Sequence, residues 1–459
     1  MKLRDACGPR RCAVALIILV LSGVAPAALR AQAPDTAARK ITLADAIGAA
    51  QRNSAQAVQA HGQIQSAITD ERVGYSAFLP TLSVGVNSAF ANQGGGQNQT
   101  VLTNASGNQV VTNAGQRNNT SFASTGSVSL SYTVFDGGSR IYDLRAARAS
   151  LGAAEAGSAA QTFSIAFTVT QAFYKALSAR EELAAGKTQL SLADSAQRIA
   201  NLQLRARTAI VSDSLRASIQ VATARVAIAT ALNDLASANA TLSRLTVSPL
   251  MVTADPADTV VSFTPLPDTA VLRQLADTSP AVKQAVAQMS ATVAQEKSAR
   301  AARLPQVGAT YSFTGNGQNA FLGVGQPYTY GNRLSLAVSL PVLDQYQRQA
   351  AVERAQVTTA NASAIARDTK LATHESLSLA VGALELARSR MIEQTASLRA
   401  AQEDLRVQLD RYRLQEATII DVLTSQNELA QAQSALIQAR FDYRVARAQI
   451  ESIIGRPLR

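Results

Sequence analysis

The sequence predicts an α+β membrane protein, with a tunnel of long antiparallel coiled-coil α-helices and four transmembrane β-strands per chain. An internal two-fold repeat is the first observation, since Asp136–Pro249 aligns with Asp344–Pro457 without a gap, at a constant offset of 208 residues. The second is that each copy is rich in alanine and almost free of proline and glycine, so each is interpreted as two helices joined at a tip. The third is that segments alternating with a period of two precede each copy.

Composition sets the broad class of the protein. The chain has 459 residues, 47% of them hydrophobic, but only 5% are aromatic and none is tryptophan, so small side chains must allow the helices to approach closely. The net charge of +11 suggests nucleic acid binding at first sight. The basic residues are scattered through helices without aromatic interleaving, which favours solvated helix faces and no nucleic acid partner.

The N-terminus predicts export. Its basic residues precede an apolar run from Cys12 to Val24 that is too short to span a membrane, which is typical of a secretory signal peptide over residues 1–33. Cleavage is expected between residues 27 and 33, after Ala25-Pro26-Ala27 or Ala31-Gln32-Ala33. Both cysteines, Cys7 and Cys12, belong to this segment, so the mature chain is expected to have no disulfide and no cysteine metal ligand. The basic residues are Lys2, Arg4, Arg10 and Arg11.

The mature chain divides into a first repeat over 34–249, a linker or equatorial region over 250–278 and a second repeat over 279–459. A helix over Ile41–Leu79 is expected to end at Pro80, and its counterpart begins at Ser279-Pro280 and ends before Pro305. Met251–Asp277 contains several prolines and fits neither period, so it is interpreted as an irregular linker.

Four strands of roughly ten residues follow these prolines, with apolar and small polar residues in alternation. They occupy Thr81–Ala91, Ser127–Phe135 and the segments around 307–314 and 334–340. The loops Asn92–Thr120 and Gly315–Asn332 are expected on the outer side. A sheet packed on its own helices would also alternate. A barrel is favoured because the polar face carries Ser, Thr and Gly, and because no helical segment is apolar enough to bury the sheet. The side chains expected to face lipid are Leu82, Val84, Val86, Val128, Leu130, Tyr132, Val134, Val307, Ala309, Tyr311, Phe313, Leu334, Leu336, Val338 and Leu340.

The helix lengths and the strand number together predict a shared tube. The helix from Ser139 to about Ala206 would be about 100 Å long, and the return helix Asp213–Leu245 about 50 Å. Four strands cannot close a membrane barrel, because roughly eight is the minimum and open edges cannot face lipid. Three copies of the chain would close a twelve-stranded β-barrel, which predicts a homotrimer.

The sequence resembles the TolC-like outer membrane efflux protein family, also called outer membrane factors, over essentially the whole mature chain. The resemblance implies a trimeric channel-tunnel in the outer membrane of a Gram-negative-type bacterium, with its helices extending into the periplasm. It also implies passive conduction in a tripartite efflux or type I secretion system, with a periplasmic membrane-fusion adaptor and an inner-membrane pump of the RND or ABC type as partners. The residues that carry it are Phe78-Leu79-Pro80, Leu304-Pro305, Val134-Phe135-Asp136-Gly137-Gly138, Val342-Leu343-Asp344, Tyr412–Leu423 and Ile454-Gly455-Arg456-Pro457.

The resemblance also implies which residues act at the periplasmic tip. Tyr412, Asp213 and Asp421 match the family's gate, and Thr424 stands where a second tip aspartate is usual. Arg207 and Gln415 replace glycines, and Ala417 replaces an arginine. Three copies of Asp421 near a narrow axis would attract cations; alternatively, Asp213 and Asp421 cap the returning helices, and the two roles are compatible. Adaptor contact is expected at Arg207, Thr208, Ala209, Ile210, Gln415, Glu416, Ala417 and Thr418.

The residues give no support for catalysis, a cofactor or a metal. His61 and His374 lack ligand-spaced partners and are expected on helix surfaces, and Glu181-Glu182 and Glu403-Asp404 are expected to be ordinary helix charges. Two alternatives to the channel are an exported periplasmic coiled-coil structural protein without a pore and a diffusion porin. The alternating strands argue against the first, and the amount of helix argues against the second.

Overall fold

The computed structural model describes residues 39–93, 99–103, 109–113, 119–256, 267–318 and 329–458. The expected signal peptide and parts of both expected outer loops lie outside the described residues. In chain order the elements are β1 (Arg39–Ile41), α1 (Leu43–Asn53), α2 (Ala55–Ser76), β2 (Thr81–Gln93), β3 (Gln99–Thr103), β4 (Gln109–Asn113), β5 (Asn119–Phe135), α3 (Ser139–Arg205), α4 (Val211–Leu245), β6 (Val252–Ala254), α5 (Thr269–Asp277), α6 (Pro280–Ala301), β7 (Gln306–Gln318), β8 (Thr329–Ser339), α7 (Gln347–Arg413) and α8 (Ile419–Ile454).

One antiparallel sheet contains the four predicted strands in the order β2-β5-β7-β8. The strands are longer than predicted, and the separate hairpin β3-β4 occupies part of the expected loop Asn92–Thr120. That loop and Gly315–Asn332 were therefore predicted too long. Backbone pairing continues past the apolar alternation into Asn-, Thr- and Gly-rich sequence, where side-chain pattern gives no indication of a strand.

The two longest helices, α3 and α7, have 67 residues each, which corresponds to about 100 Å. The helix predicted over Ile41–Leu79 is instead two helices. They meet at Ser54, whose N–H donates to Ala50 O at the end of α1 and whose Oγ accepts the Ala57 N–H at 3.2 Å, capping α2. The linker prediction was also incomplete, because Met251–Asp277 contains β6, which pairs in parallel with β1, and helix α5.

The helices extend away from one end of the sheet and pack side by side. Next to the strands, α3 packs between α2 and α6, and α6 packs on α7; further away α4 and α8 take over as partners of α3 and α7. Alanines dominate the buried helix contacts, so the backbones approach closely without large side chains. Larger side chains collect near the middle of α3, where Phe173, Tyr174 and Phe441 are buried and Arg444 lies 5.8 Å from the Tyr174 ring.

Eight described residues have the left-handed backbone conformation, and all lie beside the ends of long helices. Gly137 and Gly138 precede α3, and a Cβ on Gly137 would come within 2.4 Å of Ala301 O, so this turn requires glycine. The other six are Arg207, Val247, Gln345, Tyr346, Gln415 and Gly455. Within the described residues, no helix combines the length and apolar character needed to span a membrane.

Candidate functional site

The sheet has an apolar face whose side chains line up across all four strands. The strand register places Leu82, Leu130, Tyr311 and Leu334 in one row, and their exposed fractions are 68%, 38%, 42% and 76%. Adjacent rows contain the remaining predicted apolar residues, and Phe313 stacks on Tyr330 at a ring distance of 5.9 Å. Since none of these side chains is buried, the described helices do not cover this face. The alternative of a sheet packed on its own helices is therefore wrong.

Two of the predicted lipid-facing residues lie outside regular strand pairing. The ladder between β5 and β7 shifts at Val134, so that Phe135 rather than Val134 lies opposite Val307. This is a β-bulge, which leaves one residue of the longer strand unpaired. Leu340 lies beyond the end of β8, because Pro341 has no N–H with which to continue the ladder.

The opposite face of the sheet is a ladder of hydroxyl groups. Thr81 Oγ1 lies 2.6 Å from Ser131 Oγ, Ser83 Oγ lies 2.6 Å from Ser129 Oγ, and these hydroxyls hydrogen-bond across strands β2 and β5. Further along the face, the Thr125 hydroxyl donates to Asn316 Oδ1 at 3.1 Å. Hydroxyl groups that hydrogen-bond to one another and remain accessible to water suit an aqueous surface, whereas placing them in lipid would cost free energy.

Arg333 is the one charged side chain in the described strands of this sheet. It pairs with Ser312 in the register and therefore lies on the hydroxyl face. The sequence analysis did not single it out. The observation that could have found it is its odd-numbered position in β8, two residues before Ser335, which places it with the polar residues.

Both tip turns use the same backbone arrangement. After α3, Arg207 has φ 58°, and the Thr208 N–H donates to Gln203 O at 2.9 Å; after α7, Gln415 has φ 63°, and the Glu416 N–H donates to Arg411 O at 2.8 Å. These are Schellman helix ends, in which glycine is the usual left-handed residue. The non-glycine residues keep the turn that the family glycines would make.

Asp421 caps its helix, in agreement with the capping interpretation. Its Oδ2 accepts the Thr418 N–H at 2.8 Å while Thr418 Oγ1 accepts the Asp421 N–H at 3.4 Å, which forms a capping box. These hydrogen bonds from the Thr418 backbone and hydroxyl lower the pKa of Asp421 below its ordinary value. Asp213 has no such role, because Ile210 occupies the cap position of α4; its carboxylate lies 3.9 Å from Arg216 Nη1.

Tyr412 is buried beneath the tip, with 5% of its surface exposed. It packs in a cluster with Leu405, Ile419, Val422 and Leu429, and its hydroxyl has no hydrogen-bond partner within the described chain. Burial raises the pKa of Tyr412, and so does the nearby charge of Asp213. The structure thus brings Tyr412 and Asp213 together, whereas the Asp421 carboxylate accepts hydrogen bonds from Thr418 at its own helix end.

Most of the residues expected at the adaptor surface are exposed, namely Arg207, Thr208, Ile210, Gln415, Glu416 and Thr418. Ala209 and Ala417 are half-buried, and Thr424 is exposed and donates to Ile420 O.

The remaining candidates are structural contacts. His374 Nε2 lies 2.7 Å from Asp277 Oδ1, which ties α7 to the end of α5, and the hydrogen bonds from His374 and Lys370 lower the pKa of Asp277. The Ser434 hydroxyl donates to Glu182 at 2.6 Å, while burial raises the pKa of Glu181. His61 is exposed, and the described residues contain no group of His, Cys, Asp and Glu suited to a metal ion.

The chain belongs to the outer membrane efflux protein family, whose model matches residues 46–247 and 271–456. It is 29% identical over 273 residues to Protein CyaE of Bordetella pertussis, a match that covers 57% of this chain and 56% of that protein. Its fold is similar to that of a membrane protein from Pseudomonas aeruginosa, with a TM-score of 0.76 at 18% identity, covering 90% of each chain. It is also similar to the outer membrane protein VceC from Vibrio cholerae, with a TM-score of 0.73 at 15% identity, covering 91% of this chain and 97% of that one.

These similarities confirm the family resemblance and the predominantly helical α+β fold. The protein is thus an outer membrane efflux protein by family, and its fold is that of the solved outer membrane proteins to which it is similar. The chain spans a little over half the length of this curated relative.

Proposed function

We propose that three copies of this chain form a channel-tunnel that passively conducts substrates from an inner-membrane transporter and a periplasmic adaptor to the outside. The setting would be a tripartite efflux or type I secretion system. The observation that carries the proposal is the pair of opposed faces on the sheet. An exposed apolar face suits lipid, and a hydroxyl face suits a water-filled lumen.

Trimer formation is supported by the two open edges of the sheet. Strands β2 and β8 each have a partner on one side only within the described chain. Unpaired N–H and C=O groups cannot face hydrocarbon, so the edges must pair with other copies. Three chains bring twelve strands, enough for a closed barrel, and cyclic symmetry gives every edge a partner. Outer membrane lipid is then the partner of the apolar face.

An internal repeat is supported by the backbone. The left-handed residues form four pairs separated by 208 positions, namely Gly137 with Gln345, Gly138 with Tyr346, Arg207 with Gln415 and Val247 with Gly455. Helix α3 ends 208 residues before α7 ends, and α2 and α6 are offset by 225 at both ends. The side chains differ in all four pairs, so the shared backbone turns support a common origin better than sequence identity does. We accordingly keep 34–249 and 279–459 as the repeats and 250–278 as the linker.

The tip is proposed as the gate and the adaptor-contact surface. Tyr412 is buried in the last turn of α7, Asp213 is half-buried in the first turn of α4, and Asp421 and Thr424 are exposed in the first turns of α8. The exposed turn residues Arg207 and Gln415 lie at the ends of the two longest helices, where a periplasmic partner can reach them. Opening would require this end of the tunnel to separate, with the energy supplied by the inner-membrane transporter.

Channel formation can be tested with the purified mature protein. Unheated gel electrophoresis and native mass measurement should show a detergent-resistant trimer, and reconstitution into planar bilayers should give discrete single-channel conductance. A monomeric, water-soluble protein without conductance would refute the proposal and favour the structural coiled-coil alternative. Co-purification from the native membrane would then identify the adaptor and the transporter, including whether the latter is of the RND or ABC type.

A further inference from the structure

We propose that Arg333 forms a ring of three guanidinium groups inside the barrel and makes the outer membrane exit selective for anionic solutes. This inference rests on the proposed function, because only a closed trimer places three copies of the residue around one lumen. It adds a substrate class, solutes with net negative charge, to a channel whose cargo is otherwise undefined.

The strand register determines on which face Arg333 lies. Arg333 is opposite Ser312, and on the same face Ser335 is opposite Thr310. The next residue, Leu334, belongs to the exposed apolar row on the other face. Because successive side chains of a strand point to opposite faces, Arg333 must share the aqueous side with the hydroxyl ladder. It lies four residues after the start of β8 at Thr329 and six before its end at Ser339, roughly 13 Å and 20 Å along the strand, and is therefore at neither end of the strand.

No acidic residue is available to neutralise this charge. The sequence contains neither Asp nor Glu between Thr81 and Phe135 or between Gln306 and Leu343. Arg333 is exposed, and no ion pair to it occurs within the described residues. Closure of the trimer would bring β2 of the next copy beside β8, and β2 is also uncharged. The guanidinium therefore stays uncompensated in the assembly, and it remains protonated at any physiological pH.

The dimensions make three such charges effective across the whole lumen. Twelve strands spaced about 4.8 Å apart and tilted by about 40° enclose a barrel with a backbone radius of roughly 12 Å. An arginine side chain crosses about half of that distance, so the guanidinium groups lie roughly 6 Å from the axis. This distance is shorter than the Debye length of about 8 Å at physiological ionic strength, so salt screens the potential of the ring at the axis only in part. The surrounding hydroxyl ladder is neutral and adds no competing charge.

The experiment measures ion selectivity in planar bilayers under a tenfold KCl gradient, with wild-type protein and Arg333→Gln. We expect the chloride-to-potassium permeability ratio to fall about threefold or more in Arg333→Gln at 0.1 M salt. Arg333→Lys should retain the wild-type ratio, and Arg333→Glu should lower it further. Ser335→Gln is the matched control, because it introduces the same side chain on the same face of the same strand without changing charge, and its ratio should not change. At 1 M salt, where the Debye length is about 3 Å, the difference between wild type and Arg333→Gln should nearly vanish.

A second measurement does not depend on how a charge substitution affects folding. Cys7 and Cys12 are the only cysteines in the sequence and belong to the expected signal peptide, so mature Arg333→Cys would present a single thiol. After channels have formed, a cationic methanethiosulfonate reagent should restore anion preference, and an anionic one should raise cation preference. Channels that conduct with the same selectivity in wild type and Arg333→Gln, and that do not respond to either reagent, would overturn the role of Arg333 and leave the channel function intact. Absence of any conductance in the wild type would instead overturn the proposed function itself.

Discussion

Replacing Tyr412 by alanine is expected to open the tip, which is the proposed periplasmic gate. The ring is buried in the last turn of α7 and contacts Ile419 and Val422 in the first turn of α8, so it holds the two tip helices together. Truncating a buried aromatic side chain costs about 3–5 kcal/mol. Removing a buried hydroxyl that has no partner returns about 1–2 kcal/mol. The net loss of about 2 kcal/mol per chain corresponds to roughly thirtyfold in the equilibrium between the closed and the loosened tip.

Single-channel recording should therefore show larger resting conductance for Tyr412→Ala than for wild type. Hydrogen exchange should become faster in Tyr412→Ala, and only in the residues on the two sides of the tip turn. Tyr412→Phe is the control, because it keeps the ring and removes only the unpartnered hydroxyl, so it should remain closed. A Tyr412→Ala channel that is as closed as wild type, with trimers intact, would refute the packing argument. Leak from Tyr412→Phe equal to that from Tyr412→Ala would show that the hydroxyl, rather than the ring, holds the tip.

Four further outcomes follow from the tip and the sheet. Asp421→Ala should raise leak conductance, whereas Asp421→Asn keeps an acceptor for the Thr418 N–H and should not; unchanged conductance in Asp421→Ala would limit this aspartate to capping. The lowered pKa of Asp421 means that its ionised form stabilises the tip above the ordinary carboxyl pKa, so hydrogen exchange at the tip should increase only as pH falls below about 4. Ile210→Thr places a capping hydroxyl three residues before Asp213 and should stabilise the start of α4 by about 1 kcal/mol, seen as slower exchange there. Leu336→Arg should block membrane insertion, because placing an arginine on the lipid-facing side costs about 2–4 kcal/mol. The neighbouring Ala337→Arg, on the hydroxyl face, should insert normally. Equal insertion of the two variants would show that the faces are assigned wrongly.

The periodicity of the sequence predicted the strands whose two faces carry different kinds of side chain. In β2 and β8 the alternation of Leu, Val and Ser follows from the two different faces of the sheet, one apolar and exposed and the other carrying hydroxyl groups, so the strands could be recognised. Pairing between β5 and β7 could not be recognised, because it joins segments that lie far apart in the chain and is decided by backbone hydrogen bonds. Strand extension into the outer loops escaped prediction because the Asn-, Thr- and Gly-rich sequence there shows no apolar alternation.

The tip shows a different limit of sequence reasoning. A helix end at Gly455 can be expected from the glycine alone, but Arg207 and Gln415 adopt the same left-handed conformation without that indication. The helix must end there because the chain has to reverse direction, and the backbone hydrogen bonds of the turn offset the local strain. The Thr418–Asp421 capping box, in contrast, has a recognisable spacing. The sequence analysis predicted the capping role of Asp421 but did not identify Thr418 as the residue at the cap position.

The two tips are held with unequal strength, which indicates where opening begins. The α7–α8 tip has a capping box and the buried Tyr412 cluster on both sides of its turn. The α3–α4 tip has Ile210 in place of a capping side chain, and Val211 and Leu215 in the first turns of α4 are more than half exposed. Fewer buried contacts and an uncapped helix start lower the free energy of local opening. We therefore expect α4 to move first when the tunnel opens, while α8 remains fixed to α7.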